Sequence, residues 1–131
     1  MGKHRLTKLA IAVMLLTQAA LAQRTLATIE LSDADDKKSV GAAVGQRIEI
    51  RLPANVTTGY EWLLQSFPGC LELSDFRYGM VGKQMPGAGG FQTVNFIAKS
   101  SGVADVKLEY RRPWEHNAVP TKTFTLKVTV R

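Results

Sequence analysis

The clearest pattern along the chain is a period of two. Ile48-Glu49-Ile50-Arg51-Leu52, Val106-Lys107-Leu108-Glu109-Tyr110 and Phe124-Thr125-Leu126-Lys127-Val128-Thr129-Val130 each alternate apolar and polar residues. An extended backbone turns successive side chains to opposite faces, so each segment predicts a strand with one buried face. Thr25 to Leu31, Tyr60 to Gln65, Leu71 to Tyr78 and Gln92 to Ala98 are weaker candidates, rich in aromatic or branched residues. After residue 22 no segment repeats its apolar residues at helical spacing. Pro53-Ala54-Asn55, Pro68-Gly69, Pro86-Gly87-Ala88-Gly89-Gly90 and Ser100-Ser101-Gly102 punctuate the strands as turns. About seven short strands within roughly 100 residues predict an all-β fold, an immunoglobulin-like antiparallel β-sandwich. A small barrel is the other architecture this pattern allows. Asp33 to Lys38 mixes charges of both signs and reads as a solvated loop.

The first 22 residues break from this pattern. Lys3, Arg5 and Lys8 precede an apolar run from Leu9 to Leu16, and Ala20-Leu21-Ala22 supplies small residues at the positions a signal peptidase reads. The segment 1–22 is expected to be a signal peptide cleaved before Gln23, leaving 23–131 as one periplasmic or secreted domain. Its apolar run is shorter than the roughly 20 residues that span a bilayer, so no membrane association is expected after cleavage. Three basic residues and no acid leave with it, which lowers the formal charge from +6 to +3. No basic face stands out in what remains, so nucleic acid is not an expected partner. Cys70 is the only cysteine, so the domain has no internal disulfide; a small apolar side chain in the interior is its expected role. Cys70 and His116 are the only such pair for nucleophilic chemistry in 23–131, too few for a metal cluster and unpromising as a catalytic dyad. No enzymatic activity, cofactor or metal is expected.

Loops separated by an even number of strands emerge at the same end of an up-and-down sandwich. Two predicted strands separate the loop at 53–59 from that at 86–90, and two more separate the latter from Arg111-Arg112-Pro113-Trp114-Glu115. All three loops are therefore expected along one edge. In Asn55-Val56-Thr57-Thr58-Gly59-Tyr60, small hydroxyl residues and a glycine make a narrow projection suited to act as a wedge. Gly87-Ala88-Gly89-Gly90 leaves its backbone groups uncovered for pairing with a partner, and it lacks the Lys-Ser/Thr that follows a phosphate loop. Pro113 holds Arg112 extended and fixes the chain that presents Trp114. Trp62, on a strand, is the better candidate for a core tryptophan.

In order and spacing these loops resemble the chagasin-like inhibitors of papain-family cysteine peptidases, whose signature is Asn-Pro-Thr-Thr-Gly-Tyr, then Gly-x-Gly-Gly, then Arg-Pro-Trp. The matching positions are Asn55 to Tyr60, Gly87 to Gly90, and Arg112-Pro113-Trp114. The resemblance implies a monomeric, reversible, competitive inhibitor whose first loop enters the peptidase cleft while the other two grip its sides. By position, Thr57, Thr58 and Gly59 would lie over the catalytic Cys and His, Gly89 and Gly90 would pair with backbone, and Trp114 with Arg112 would pack on the opposite side. Val56 departs from the pattern by replacing the usual proline, which leaves the wedge more conformational freedom to lose on binding. The competing reading is an adhesion or carbohydrate-binding module that stacks ligands on Tyr60, Tyr110 and Trp114.

Overall fold

In a computed structural model, which describes residues 26–80 and 89–131, the alternating segments become strands whose apolar faces meet. One sheet contains β1 (Ile29–Ser32), β3 (Arg47–Ala54), β5 (Leu71–Met80) and β6 (Gly90–Ala98), ordered β1-β3-β6-β5. The other contains β2 (Lys38–Ala42), β4 (Glu61–Ser66), β7 (Gly102–Arg111) and β8 (Lys122–Val130), ordered β2-β8-β7-β4. β3 turns Ile48, Ile50, Leu52 and Ala54 inward, and β7 and β8 answer with Ala104, Val106, Leu108, Phe124, Leu126 and Val128. Each fully buried Leu, Ile, Val or Phe of this core contributes about 1.5–3 kcal/mol from the area it removes from water. Trp62 caps the core at 4% exposure, its indole N–H donating to the carbonyl of Pro53 at 3.0 Å. Cys70 packs only half-buried against the core edge, less enclosed than its composition suggested. Among the described residues no helix is long and apolar enough to cross a membrane.

The sandwich is not purely antiparallel. β1 runs parallel to β3, and β2 runs parallel to β8, so the first two strands frame opposite edges of the two sheets. β2 was hidden in the sequence because Gly41 and the small Ala42 weaken its alternation; pairing with β8 makes it a strand. The link between them corrects the expectation of a merely solvated loop at Asp33–Lys38. Asp33–Asp35 forms a 3-10 turn in which Ser32 N–H donates to Asp35 Oδ2 at 2.9 Å and Ser32 Oγ accepts from Ala34 N–H at 3.3 Å. The next two residues dock on β8: Lys37 N–H donates to Thr125 O at 2.8 Å, and Asp36 Oδ1 accepts from Thr125 N–H at 2.9 Å. The residues expected to turn at 53–54 instead extend β3. Pro53 is tolerated there because the register with β1 ends at Arg51, which leaves that side of β3 without a neighbour. Gly90 likewise belongs to β6, paired with Ala54 and Met80.

Candidate functional site

The connection from β3 to β4 crosses from one sheet to the other through a single 3-10 turn, Val56–Thr58. Asn55 begins it: its Oδ1 accepts the N–H of Thr57 at 3.3 Å, while its own carbonyl accepts the Thr58 hydroxyl at 2.6 Å. Gly59 ends it at φ +83°, a left-handed conformation that side-chain-bearing residues rarely adopt. Thr57 and Thr58 project from the tip and are exposed. Val56 opens the turn after an extended Asn55, the backbone setting in which a proline would also fit.

The connection after β7 closes on this turn. A Cβ added to Gly59 would fall 2.6 Å from Trp114 Cη2, so the indole lies directly against the glycine. Arg112 Nε donates to the Thr58 carbonyl at 3.3 Å, its guanidinium sits 4.6 Å from the Tyr60 ring centre, and its Nη1 reaches Glu115 Oε1 at 3.2 Å. Trp114 itself is 64% exposed. This large aromatic, seated on a glycine yet open to water, contrasts with Trp62, which is 4% exposed.

Beneath the loops runs a ladder of rings. Tyr60 stacks on Tyr110 with centroids 5.6 Å apart, Tyr110 lies 5.1 Å from Trp62, and the Tyr110 hydroxyl accepts the N–H of Asn55 at 3.0 Å. Tyr110 thus ties the first loop to the strand that carries the third. The alternation Val106-Lys107-Leu108-Glu109-Tyr110 put Tyr110 on the apolar face with Leu108; its tie to Asn55 was not visible in that pattern. With Tyr60 and Tyr110 stacked on each other and Arg112 over Tyr60, two of the three rings a glycan would use have faces already taken, which disfavours that reading.

Gly89 and Gly90 lie at the same end. They share a depression of about 490 Å³ with Asn55, Phe91, Tyr110 and Lys122. A Cβ on Gly90 would collide with the Gly79 carbonyl and the Tyr78 ring, so only glycine fits where β6 begins. Gly87 and Ala88, the other predicted members of this loop, lie outside the described residues. Every described member of the three predicted loops is therefore brought to one end, and the first and third are in direct contact. Cys70 and His116 are kept apart: Cys70 adjoins Gly102 at the start of β7, whereas His116 follows its far end, ten residues on. At about 3.3 Å per strand residue the separation is roughly 30 Å. Among the described residues no three His, Cys, Asp or Glu side chains are grouped to hold a metal.

Comparison with known proteins agrees with this geometry. Residues 41–128 match the family model described as Chagasin family peptidase inhibitor I42. The chain is 32% identical over 103 residues to Amoebiasin-1 of Entamoeba histolytica, covering 79% of this chain and all of that relative. It is 30% identical over 104 residues to Chagasin of Trypanosoma cruzi, covering 74% of this chain and 93% of that one. Its fold is shared by the crystal structure of a cysteine protease inhibitor from Entamoeba histolytica, with a TM-score of 0.73, 24% identity, and coverage of 79% of this chain and 96% of that one.

Proposed function

The chain belongs to the chagasin family of peptidase inhibitors, and we propose that it blocks papain-like cysteine peptidases with the loop edge formed by Asn55–Tyr60, Gly87–Gly90 and Arg112–Trp114. The contact that carries this reading is the closure of Trp114 and Arg112 onto Gly59 and Thr58. It fixes two of the loops relative to each other before any partner arrives, so little ordering entropy is lost on binding.

In this reading the 3-10 turn enters the cleft, with the exposed Thr57 and Thr58 leading. The backbone of Gly89 and Gly90 pairs along one wall, and the indole of Trp114 packs along the other. Nothing in the edge is a nucleophile or a scissile substrate, so inhibition is steric, reversible and competitive. Protease–inhibitor interfaces typically bury about 800 Å² on each partner, an area three short loops can supply. Export fits the same reading: cleavage after Ala22 would release 23–131 as a monomer into the periplasm or outside the cell, where no disulfide is needed because the core is continuous. The test is a titration of papain with the chain 23–131. Stoichiometric loss of activity, reversed by competing substrate, is expected; full activity at micromolar inhibitor would overturn the proposal.

A further inference from the structure

On the outer face of the β1-β3-β6-β5 sheet, the cross-strand register arranges side chains in rows. Nearest the loop edge are Pro53, Phe91 and Gly79; next come Arg51, Thr93 and Arg77; then Glu49, Asn95 and Asp75. These positions alternate with the core residues of the same strands, so they share one surface. Its second row is unusual. The Arg51 guanidinium lies 4.0 Å from the Phe91 ring centre, and no carboxylate among the described residues comes within ion-pair range of it. Arg77 is 69% exposed on its side chain and only loosely held, 3.8 Å from Asp75. Between the two arginines Thr93 is 9% exposed and floors a depression of about 260 Å³. Phe91 walls this depression and also the one that contains Gly89 and Gly90, so the surface is continuous with the loop edge.

We infer that this shoulder is an auxiliary contact surface that receives a carboxylate side chain from the rim of the target peptidase's cleft; the inference rests on the loop-edge reading above. Arg51 and Arg77 flank one central strand, so their backbones are about two strand spacings, roughly 10 Å, apart. Both side chains line the depression over Thr93, Arg51 reaching toward Phe91 and Arg77 toward Asp75, so an incoming carboxylate there meets one or the other. Stacking on Phe91 holds one guanidinium in place, which lowers the entropy lost when it pairs. The order of the rows supports the same occupant. A partner seated on the loop edge meets the apolar row first and the arginines second; Glu49 and Asp75 stand in the third row, where Glu49 lines the far side of the depression and Asp75 lies 3.8 Å from Arg77. A lysine or arginine at the same place on a peptidase would meet two cations and bind worse. The shoulder thus selects among papain-like peptidases by the charge of their rim, and opposite charge speeds encounter in a salt-dependent way.

The experiment is a set of inhibition constants for the chain 23–131 and its Arg51→Glu/Arg77→Glu variant. The targets are papain-like peptidases that differ in the Asp and Glu residues flanking the cleft, measured at low and high salt. The variant should lose at least about tenfold in affinity for acid-rimmed peptidases at low salt, less at high salt, and should gain affinity for basic-rimmed ones. Trp114→Ala, in contrast, should weaken binding to all of them alike. Should the double variant melt early, the charge can be reversed on the other side: replacing the rim carboxylate of the peptidase by lysine should weaken the unsubstituted inhibitor to the same extent. A flat response across the panel, or a uniform loss that ignores rim charge and salt, overturns the inference while leaving the loop edge standing. Absence of inhibition by the unsubstituted chain overturns both.

Discussion

At the end of the sandwich away from Trp114, the backbone closes its own turns. Gly45 N–H donates to Ala98 O at 2.7 Å, Ala98 N–H returns a bond to Gln46 O at 2.9 Å, and the amides of Lys99 and Ser100 share the Cys70 carbonyl. Gln46 completes the seal, accepting from Ala43 N–H at 2.9 Å and donating to Ala27 O at 2.8 Å. Its exposed hydrophobics include Val44 and Val103, and its aromatic Phe67, 38% exposed, leans on Phe96 with ring centres 5.4 Å apart. At the other end, side chains do the closing. An arginine, a tryptophan and two tyrosines lock two loops together, and the largest of them stays in water. Identical strands feed both ends, so the difference is not one of scaffold. A turn that satisfies itself through its backbone has nothing left to offer a partner, whereas one that is held by side chains leaves its tip and an aromatic surface free.

That contrast is open to direct attack. Thr57→Arg places a bulky charge at the tip of the wedge and should weaken inhibition of papain by about 3 kcal/mol or more, over 100-fold. Ser101→Arg, at the opposite end, should leave the inhibition constant unchanged; similar losses for both would erase the distinction between the ends. Trp114→Ala should weaken binding by at least about 2 kcal/mol, near 30-fold, because central interface tryptophans often carry that much. Its melting temperature should stay within about 2 °C of the parent, since the ring is 64% exposed and buries little in the free chain. A large fall in melting temperature would make Trp114 a packing residue instead. Gly59→Ala forces a Cβ into a left-handed position, at a cost of about 1–2 kcal/mol, and displaces the indole. Stability and inhibition should both fall, and adding Trp114→Ala should cost less in this background than alone, a non-additivity measurable by a double-mutant cycle.

The smallest effect concerns the β1–β2 link. The Ser32 amide, with the Lys38 ammonium 3.1 Å away, holds the Asp35 carboxyl below its usual value of 3.8. A carboxylate with a lowered folded-state value adds stability above its unfolded value and loses it as pH falls through the folded one. The parent should therefore lose slightly more stability than Asp35→Asn between pH 5 and pH 3, by thermal melting; inhibition at neutral pH should not change. Equal acid sensitivity of the two would remove the link from the account of stability.

What could be read in advance follows from how local each determinant is. Period-two alternation is a property of a few adjacent residues, so β3, β7 and β8 were visible, and with them the core that Ile48, Leu108 and Phe124 build. The three motifs were visible for the same reason, and strand parity was enough to send their loops to one end. The parallel placement of β1 and β2 was not, because nothing within Lys38–Ala42 distinguishes an edge strand from a loop until β8 lies beside it. The docking of Asp36 on Thr125 joins residues 89 positions apart, and the bond from Asn55 to Tyr110 spans 55. The seat of Trp114 on Gly59 and the alignment of Arg51 with Arg77 across Thr93 belong to the same class. Such contacts depend on register and on how two sheets face each other, and those are settled only when the whole core packs.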